Sequence, residues 1–303
     1  MFIIAEVGSN AKNIDDCLHS VERAKSCGAD AVKFQMFSHK DLYGYGSEDP
    51  MAFKSAWLDR VASECEELEI EFMCTAFSVP TFHKIDPYVN YHKIASSDAC
   101  DPFMLDVARE TSKPFFVSTG GKTMSDIEML VDECSNSDHL HLMYCESAYP
   151  ASVINREKFE SLKDFRIPLG FSDHSTNIYP LVDCEFYEKH VNFCGYEDTP
   201  DAPHSLSEAD FRRFVRYCYN GYEFRTDHEL PMYLFHNKRL IFTKNVKEGE
   251  ELIFGENYGV YRSKISNNAP VSPRQWELFN KKIAVKDGSV GEPVSYKHIR
   301  IDL

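Results

Sequence analysis

The chain has 303 residues, of which 33 are basic and 48 acidic, giving a formal net charge of −15 at neutral pH. This acidic balance argues against nucleic acid and anionic membrane surfaces as partners, and no apolar stretch has the length of a membrane span or a signal peptide. Ten cysteines without a Cys-x-x-Cys pair are typical of reduced core residues, so we expect a cytoplasmic protein.

Short apolar runs alternate with helical patterns through most of the chain. We predict strands at Phe2–Val7, Ala31–Phe34, Phe72–Thr75, His92–Ala95, Phe115–Ser118, His141–Tyr144, Ile167–Phe171 and Cys184–Tyr187. Helical periodicity predicts helices near Ile14–Cys27, Ala52–Leu68, Pro80–Ile85, Asp101–Glu110, Asp126–Cys134, Arg156–Leu162, Thr176–Val182 and Glu208–Tyr219. Eight strands, each followed by a helix, predict an α/β fold of the TIM (β/α)8 type.

The composition changes after the last predicted helix. Residues 1–220 would form the barrel, and residues 221–237 are polar and aromatic without a clear period, which predicts a linker. Residues 238–303 contain short strand-like pieces and turns, which predict a separate β-rich domain. Such a tail is near the lower size limit for independent folding, so we expect it to rest on a partner surface.

Two histidines follow neighbouring predicted strands. The seventh strand runs into Phe171-Ser172-Asp173-His174, and the eighth runs into Glu188-Lys189-His190. Adjacent parallel strands bring their carboxyl ends together. His174 and His190 could therefore hold one metal ion and leave coordination positions open for water and substrate.

The other predicted strand ends are also polar, in places where a core would carry valine or leucine. They contribute Glu6, Asn10, Lys33, Gln35, Thr75, Lys93, Ser96, Asp98, Ser118, Thr119, Ser147, Tyr149 and Ser172. Lysines, hydroxyls and the Gly120-Gly121 turn suit a phosphate or carboxylate, because ammonium groups supply charge and the hydroxyls and backbone N–H groups supply donors. A phosphorylated acid beside a metal indicates metal-assisted addition to a carbonyl.

A series of motifs in order along the chain carries a family resemblance. It comprises Ile4-Ala5-Glu6-Val7-Gly8-Ser9-Asn10, Ala29-Asp30-Ala31-Val32-Lys33-Phe34-Gln35, Cys74-Thr75-Ala76-Phe77-Ser78, Lys93-Ile94-Ala95-Ser96-Ser97-Asp98, Ser118-Thr119-Gly120, Ser147-Ala148-Tyr149-Pro150, Gly170-Phe171-Ser172-Asp173-His174, Glu188-Lys189-His190, and Pro200-Asp201 leading to His204-Ser205-Leu206. With these motifs the chain resembles the N-acetylneuraminic acid (sialic acid) synthase family, which includes legionaminic and pseudaminic acid synthases. The tail, with Lys247-Glu248-Gly249-Glu250 and Tyr261-Arg262, looks like the antifreeze-like (SAF) domain of these enzymes.

The resemblance implies an enzyme that condenses phosphoenolpyruvate with an N-acetylated amino sugar and releases phosphate. His174 and His190 would hold a divalent ion, most often Mn2+ in this family, with Mg2+ or Co2+ as alternatives. Phosphoenolpyruvate would be bound by Lys33, Thr75, Lys93, Ser96, Ser118, Ser147 and Ser172. Glu6, Asp98 and Asp201 would be catalytic, and the sugar would be held by Asn10, Gln35, Tyr149 and Arg262. Arg262 would reach the neighbouring subunit's barrel, which implies a domain-swapped homodimer.

Two departures from the family pattern leave alternatives open. Asp98 stands where the family usually has a glutamate, and the segment from His174 to His190 is several residues shorter than typical. One alternative is a catalytically silent relative that binds a sugar or a partner protein. Another is a phosphoenolpyruvate-dependent aldose-phosphate synthase, although those relatives lack the tail. The acceptor sugar also stays open between N-acetylmannosamine and the diacetamido dideoxy sugars.

Overall fold

Eight parallel strands close into a barrel in which each strand pairs with the next and β8 pairs with β1. The computed structural model describes residues 1–47, 49, 51–220, 238–262 and 273–299, so the predicted linker at 221–237 lies outside the described residues. The strands are β1 (Phe2–Glu6), β2 (Ala31–Met36), β3 (Glu71–Ala76), β4 (His92–Ile94), β5 (Phe115–Ser118), β6 (Leu140–Cys145), β7 (Leu169–Asp173) and β8 (Phe186–His190). The predicted TIM barrel is confirmed.

Helices connect most of the strands. They are α1 (Ile14–Cys27), α2 (His39–Tyr43), α3 (Leu58–Glu67), α4 (Val79–Ile85), α5 (Pro102–Glu110), α6 (Met124–Glu133), α7 (Arg156–Leu162) and α8 (Glu208–Asn220). Local sequence sets their ends: α1, for example, begins after Asn13, whose side chain accepts a hydrogen bond from the Asp16 N–H, and ends at Gly28 in the left-handed conformation. None of the described helices is long and apolar enough to cross a membrane.

The barrel interior changes from apolar to polar along the strands. Near the amino ends of the strands the interior holds the buried residues Ile4, Ala31, Met73, Phe116 and Met143. Two residues further along each strand, the side chain on the same face is Glu6, Lys33, Thr75, Ser118 or Cys145. The outward faces pack against the helices in the main core. One end of the barrel is therefore a packed plug, and the carboxyl end is a polar mouth.

The predicted helix at Thr176–Val182 is wrong, because residues 174–185 are irregular in the structure. Pro180 has no N–H to donate, and side chains take up backbone donors that a helix would use. Asn177 accepts from the Tyr179 N–H, and the Tyr187 hydroxyl accepts from the Leu181 N–H. The expectation that every strand is followed by a helix therefore fails after β7.

Several other boundaries differ from prediction. β7 and β8 end two and three residues later than predicted, respectively, so Asp173 and His190 belong to strands. The predicted helix at Ala52–Leu68 begins with a 3-10 turn at Ser55–Trp57 and becomes α3 only at Leu58. Helix α2 was not predicted; it is a five-residue helix capped by Ser38 and Asp41.

The chain divides into two compact units, Met1–Tyr222 and Glu223–Leu303. In the described part of the second unit, β9 (Lys238–Phe242) pairs antiparallel with β10 (Tyr258–Arg262). This unit has its own buried cluster, formed by Leu240, Phe242, Val246, Leu252, Tyr258, Phe279, Ala284, Val294 and Ile299.

Candidate active site

Strand register brings the polar side chains of the barrel mouth together. Glu6 on β1 lies beside Lys33 on β2 and His190 on β8. Thr75 on β3 pairs in register with Lys93 on β4. Residues in register on neighbouring strands have their side chains on the same face, so residues distant in sequence converge at one place.

These side chains surround a cavity of about 540 Å³ at the carboxyl ends of the strands. It is lined by Lys33, Gln35, Thr75, Phe77, Lys93, Ala95, Ser96, Ser97, Ser118, Gly120, Gly121, Lys122, Cys145, Ser147, Tyr149, Ser172, His174, Glu188, His190 and Asp201. This volume is in the range of small-molecule sites. Its location is where TIM-barrel enzymes place their active sites.

A buried charge cluster forms the floor of this cavity. The Lys33 ammonium forms an ion pair with Glu6, donates to Thr75 Oγ1 at 3.0 Å and lies 3.5 Å from Glu188 Oε2. Lys93 lies 4.0 Å from Glu188 Oε1. Two ammonium groups thus share the carboxylates of Glu6 and Glu188, all four residues being buried, and these ion pairs keep the side chains in place.

Burial and neighbouring charges shift the pKa values of this cluster in different directions. Burial raises the pKa of Glu6 and lowers that of Lys93. Burial by itself would lower the pKa of Lys33, but the charges of Glu188 and Glu6 outweigh it and raise that pKa above the ordinary value. Burial by itself would raise the pKa of Glu188, but the charges of Lys33 and Lys93 outweigh it and lower that pKa to about 2. Lys33 and Glu188 are therefore charged at neutral pH.

Hydroxyls and a glycine turn form one wall of the cavity. The Gly120 N–H donates to Ser96 Oγ at 3.0 Å. A methyl group at Gly120 would lie 2.3 Å from Ser147 Oγ and 2.8 Å from Ser96 Oγ, so only glycine allows these hydroxyls to converge. The buried Ser118 hydroxyl has no hydrogen-bond partner in the described part of the chain. With the lysines nearby, this wall has the donors that an anionic group needs.

His174, His190 and Asp201 form another wall of the cavity, and the ring of His204 packs against that of His190. The ring of His190 lies 5.3 Å from that of His174 and 4.5 Å from that of His204, centre to centre. His174 Nδ1 lies 2.8 Å from the Glu146 carbonyl oxygen, which suits an N–H donor and leaves Nε2 with its lone pair. Asp201 Oδ2 accepts the Ser9 N–H at 2.7 Å, and Gly8 is needed there because a methyl group would lie 2.1 Å from that oxygen.

This wall fits a divalent metal ion. His190, Asp201 and His204 each offer one ligand atom, and these three atoms lie within 4.8 Å of one another. Burial lowers the pKa of His174 and, strongly, that of His190, so both rings are neutral and have a lone pair to give. Burial acts to raise the pKa of Asp201, but the neighbouring His204 and His190 rings and the Ser9 N–H lower it, so its carboxylate is charged.

Comparison with known proteins identifies the family. The NeuB family model matches residues 20–229. The chain belongs to the NeuB family. It is 30% identical to an uncharacterized protein of Methanocaldococcus jannaschii, over 83% of this chain and 82% of that protein. It is also 26% identical to the N,N'-diacetyllegionaminic acid synthase of Legionella pneumophila, over 88% of each chain.

A solved structure supports the same assignment. The N-acetylneuraminic acid synthetase of Leptospira borgpetersenii is 26% identical and superposes with a TM-score of 0.68, covering 76% of this chain and 89% of that one. The family resemblance seen in the sequence is therefore confirmed. Named relatives of this NeuB-family chain include sugar-acid synthases, and the chain is an enzyme of the sialic acid synthase type. Such enzymes are generally metal-dependent.

Most of the predicted site residues of this NeuB-family protein line the cavity. The structure places Lys33, Gln35, Thr75, Lys93, Ser96, Ser118, Ser147, Tyr149, Ser172, His174, His190 and Asp201 there. Tyr149 follows β6 and its ring packs 4.3 Å from that of His174, centre to centre. Burial raises the pKa of Tyr149 to about 12, so its hydroxyl is a neutral donor.

Four predicted site residues lie outside the cavity lining. Glu6 is buried against Lys33 and accepts from Gln35 Nε2 at 3.0 Å. Asn10 is buried. Its amide nitrogen donates hydrogen bonds to the Val191 carbonyl and to Ser205 Oγ, and its amide oxygen accepts one from Thr199, so it holds the loop after β1 to the loop after β8. Asp98 lies in a 3-10 turn after β4, and Arg262 ends β10 in the second unit.

Three further residues of this NeuB-family site were given no role by prediction, although Glu188 was named among the polar residues at the strand ends. Glu188 accepts a hydrogen bond from Ser172 Oγ at 2.7 Å, and its carboxylate balances the charges of Lys33 and Lys93. Its place two residues before His190 on one strand predicts the same inward face, so strand periodicity could have identified it. Lys122 lines the cavity just after the glycine turn. His204 belongs to the motif that starts at Pro200-Asp201, but nothing in the neighbouring sequence indicates that its ring packs against that of His190.

Proposed function

We propose that the protein condenses phosphoenolpyruvate with an N-acetylated amino sugar to form a nonulosonic acid and phosphate. The observation that carries this proposal is a single cavity with two kinds of wall. One wall has Lys33, Lys93 and convergent serine hydroxyls, which suit the charges of phosphoenolpyruvate. The other has neutral imidazoles and a carboxylate, which suit a divalent ion beside the sugar.

The residues of the site would bind and orient two substrates. Lys33 and Lys93 would hold the charges of phosphoenolpyruvate, with Thr75, Ser96, Ser118, Ser147 and Ser172 as hydroxyl partners. Gln35, Tyr149 and Asp201 would position the open-chain sugar, and close positioning accounts for much of the rate gain in such a reaction. A bound divalent ion, held by His174 and His190 in this proposal, supplies Lewis-acid polarisation of the sugar aldehyde.

The bond changes balance for one sugar, one phosphoenolpyruvate and one water. Carbon three of phosphoenolpyruvate forms a bond to the aldehyde carbon, and the aldehyde oxygen becomes a hydroxyl. Water adds at carbon two, and the tetrahedral centre then expels phosphate by breaking its C–O bond. We assign proton transfers during these steps to Glu6, Asp98 and Asp201, whereas Glu188 balances the charges of the two lysines.

The second unit would complete the site in a homodimer. We propose that residues 238–303 are an antifreeze-like (SAF) domain and that Arg262 grips the N-acyl group of the sugar in the neighbouring subunit's barrel. We further propose Mn2+ as the ion and the cytoplasm as the location. The ten cysteines are all free thiols in the structure.

Phosphate release tests this function directly. Phosphoenolpyruvate and Mn2+ are incubated with N-acetylmannosamine or with either of the diacetamido dideoxy sugars that lead to legionaminic or pseudaminic acid. We expect one acceptor to give phosphate and a sugar acid in equal amounts. With 18O in the bridging position of phosphoenolpyruvate, the label should leave with phosphate, and label retained on the sugar acid would rule out C–O cleavage.

Control reactions separate the alternatives. The His141→Ala variant, altered in a ring that packs on Phe116 and Phe186 at the other end of the barrel, should behave as wild type. Phosphoenolpyruvate binding without phosphate release from any acceptor would indicate a catalytically silent relative. Phosphate release only with an aldose phosphate would indicate the other class of phosphoenolpyruvate-dependent synthase.

A further inference from the structure

We infer that Lys122 binds the phosphoryl group of phosphoenolpyruvate and so adds a third ammonium group to that substrate's side of the cavity. This deepens the function proposed above and rests on phosphoenolpyruvate being a substrate. Only Lys33 and Lys93 were the lysines expected to hold it. Those two lie on strands β2 and β4, whereas Lys122 lies in the turn that follows β5.

The fold places Lys122 at the cavity through a closed turn. Lys122 is half-buried and lines the cavity. Its N–H donates to the Thr119 carbonyl at 3.2 Å, and Gly121 within this turn has a φ of 68°. A positive φ at the third position of a turn strongly favours glycine. The turn therefore presents Lys122 directly after the two glycines that allow the serine hydroxyls to converge.

Lys158 on α7 holds this turn in place. Its ammonium group donates to the Lys122 carbonyl at 2.7 Å and to the Thr119 carbonyl at 3.3 Å. The Thr119 N–H in turn donates to the Met143 carbonyl on β6 at 2.9 Å. The backbone of Lys122 is thus fixed at both ends of the turn. A binding residue on a fixed backbone loses less freedom when its ligand binds.

The charge of Lys122 is available to a ligand. Lys33 forms ion pairs with Glu6 and Glu188, and Lys93 lies 4.0 Å from Glu188, so carboxylates offset much of the charge of these two lysines. Within the ranges that the structure describes, the Lys122 ammonium forms no ion pair and donates no hydrogen bond. It is therefore the lysine of the cavity lining whose charge is least offset.

Two carboxyl groups near Lys122 do not take its ammonium as an ion-pair partner. Burial raises the pKa of Asp98, which disfavours its carboxylate form. Asp126 Oδ2 accepts from the Thr123 N–H at 2.8 Å and from the Thr123 hydroxyl at 2.7 Å, so it caps α6. An anionic ligand in the cavity would meet little competition from these groups.

The surroundings of Lys122 suit the phosphoryl end of phosphoenolpyruvate better than its carboxylate. The hydroxyls of Ser96 and Ser147 converge beside Gly120. The buried Ser118 hydroxyl has no partner among the described residues. A phosphoryl group has three terminal oxygens and close to two negative charges, so it needs more donors and more positive charge than a carboxylate does. Clustered hydroxyls beside the Lys122 ammonium meet both needs.

Binding measurements without any sugar test the inference. Equilibrium dialysis of the full-length protein measures its affinity for phosphoenolpyruvate and for radiolabelled inorganic phosphate, and competition measures its affinity for pyruvate. We expect Lys122→Met to weaken binding of phosphoenolpyruvate and of phosphate by roughly 10-fold, as for the loss of one hydrogen bond to a charged group. Binding of pyruvate should stay at the wild-type level, which also shows that the variant is folded.

Two further variants serve as controls. Lys122→Arg keeps the positive charge and should bind phosphate nearly as the wild type does. Lys163→Met removes an exposed ammonium group that does not line the cavity, and all three affinities should be unchanged.

Three results would overturn the inference. The first is wild-type affinity for phosphate in Lys122→Met. The second is an equal loss of pyruvate binding, which would mean that Lys122 holds the carboxylate or supports the fold. The third is a loss of phosphate binding in Lys122→Arg as large as that in Lys122→Met. If no acceptor sugar led to phosphate release by the wild type, the proposed function would fail, whereas phosphate binding would still test Lys122.

Discussion

At the scale of single residues, the site depends on a few buried charges that balance one another. Lys33 and Lys93 line the cavity with Glu188 between them, and Ser172 fixes the orientation of the Glu188 carboxylate. In a protein with a net charge of −15, an anionic substrate must be attracted locally. These lysines provide that attraction because burial reduces screening by water and salt.

The first prediction concerns Lys93. Replacing it in Lys93→Met removes one ammonium group from the phosphoenolpyruvate side of the cavity. A hydrogen bond to a charged group contributes about 1.5–3 kcal/mol, so KM for phosphoenolpyruvate should rise roughly 10- to 100-fold. KM for the sugar should change far less. Steady-state kinetics with each substrate varied in turn measures this, with Lys163→Met on the exposed face of α7 as control. An equal rise in both KM values would show that Lys93 supports the barrel rather than one substrate.

The second prediction concerns the pH dependence of stability. Glu188 has a pKa of about 2 in the folded protein against an ordinary value of 4.5. A folded pKa below the unfolded one stabilises the protein above pH 4.5, and this contribution is lost as the pH falls toward 2. Glu188→Gln lacks the contribution at every pH. The difference in unfolding free energy between wild type and variant should therefore shrink by about 2 kcal/mol between pH 6 and pH 3.

Urea unfolding at several pH values checks this second prediction. The chain has two tryptophans, Trp57 in the barrel unit and Trp276 in the second unit. In a Trp276→Phe background the fluorescence of Trp57 reports barrel unfolding alone. Glu160→Gln, which removes a carboxylate from the exposed face of α7, is the matched control and should change the unfolding free energy by less than about 1 kcal/mol. A constant difference between Glu188→Gln and wild type over this range would contradict the assigned pKa.

At the scale of elements, the connection between β7 and β8 shows how the barrel closes without a helix there. Lys189 and Asp173 are both fully buried and their charged groups lie 2.7 Å apart. Asp173 also accepts from the Tyr187 hydroxyl, and Lys189 also donates to Ser175 Oγ. This network takes the place of a packed helix and holds the strand that leads to His174.

The third prediction follows from that network. Lys189→Met leaves the Asp173 carboxylate buried without its counter-charge, so the barrel should lose about 3–5 kcal/mol of unfolding free energy. Lys163→Met breaks an exposed pair with Glu160 and should cost less than about 1 kcal/mol. Urea unfolding followed by Trp57 fluorescence compares the two variants. Equal losses would mean that the buried pair does not stabilise this connection.

At the scale of the whole molecule, the chain combines a barrel that contains the candidate site with a second unit that has a separate core. The barrel cavity contains groups for both proposed substrates. The proposed role of the second unit is to add one contact, from Arg262, to the sugar in a partner subunit.

The fourth prediction tests that role. A chain truncated after Asn237 should bind phosphoenolpyruvate, because the residues assigned to that substrate are all in the barrel, but should turn over poorly. Arg262→Ala should reproduce much of this loss while leaving KM for phosphoenolpyruvate nearly unchanged. Kinetics and sedimentation of the full chain measure turnover and dimer formation. Normal turnover by the truncated barrel, or a monomeric active enzyme, would exclude a role for the tail in a partner's site.

The barrel and most of the cavity lining could be predicted from the amino-acid sequence. Strand-length apolar runs with polar ends identify both the fold and the end that carries the site, because inward positions on a strand recur every two residues. Lys33, Lys93 and His190 could be found this way since each sits on its strand or at its end. Local information also misled at Thr176–Val182, where an apolar pattern is overridden by Pro180 and by side chains that capture backbone donors.

The residues that complete the site across loops could not be predicted, because they meet only in the folded chain. Glu188 balances two lysines because three strands bring them together, and Asn10 turns inward to hold a loop rather than lining the cavity. His204 meets His190 because Leu206 pairs with the end of β8. Contacts of this kind form between segments that are far apart in sequence. The local spacing of residues does not show which of these segments meet in the folded protein.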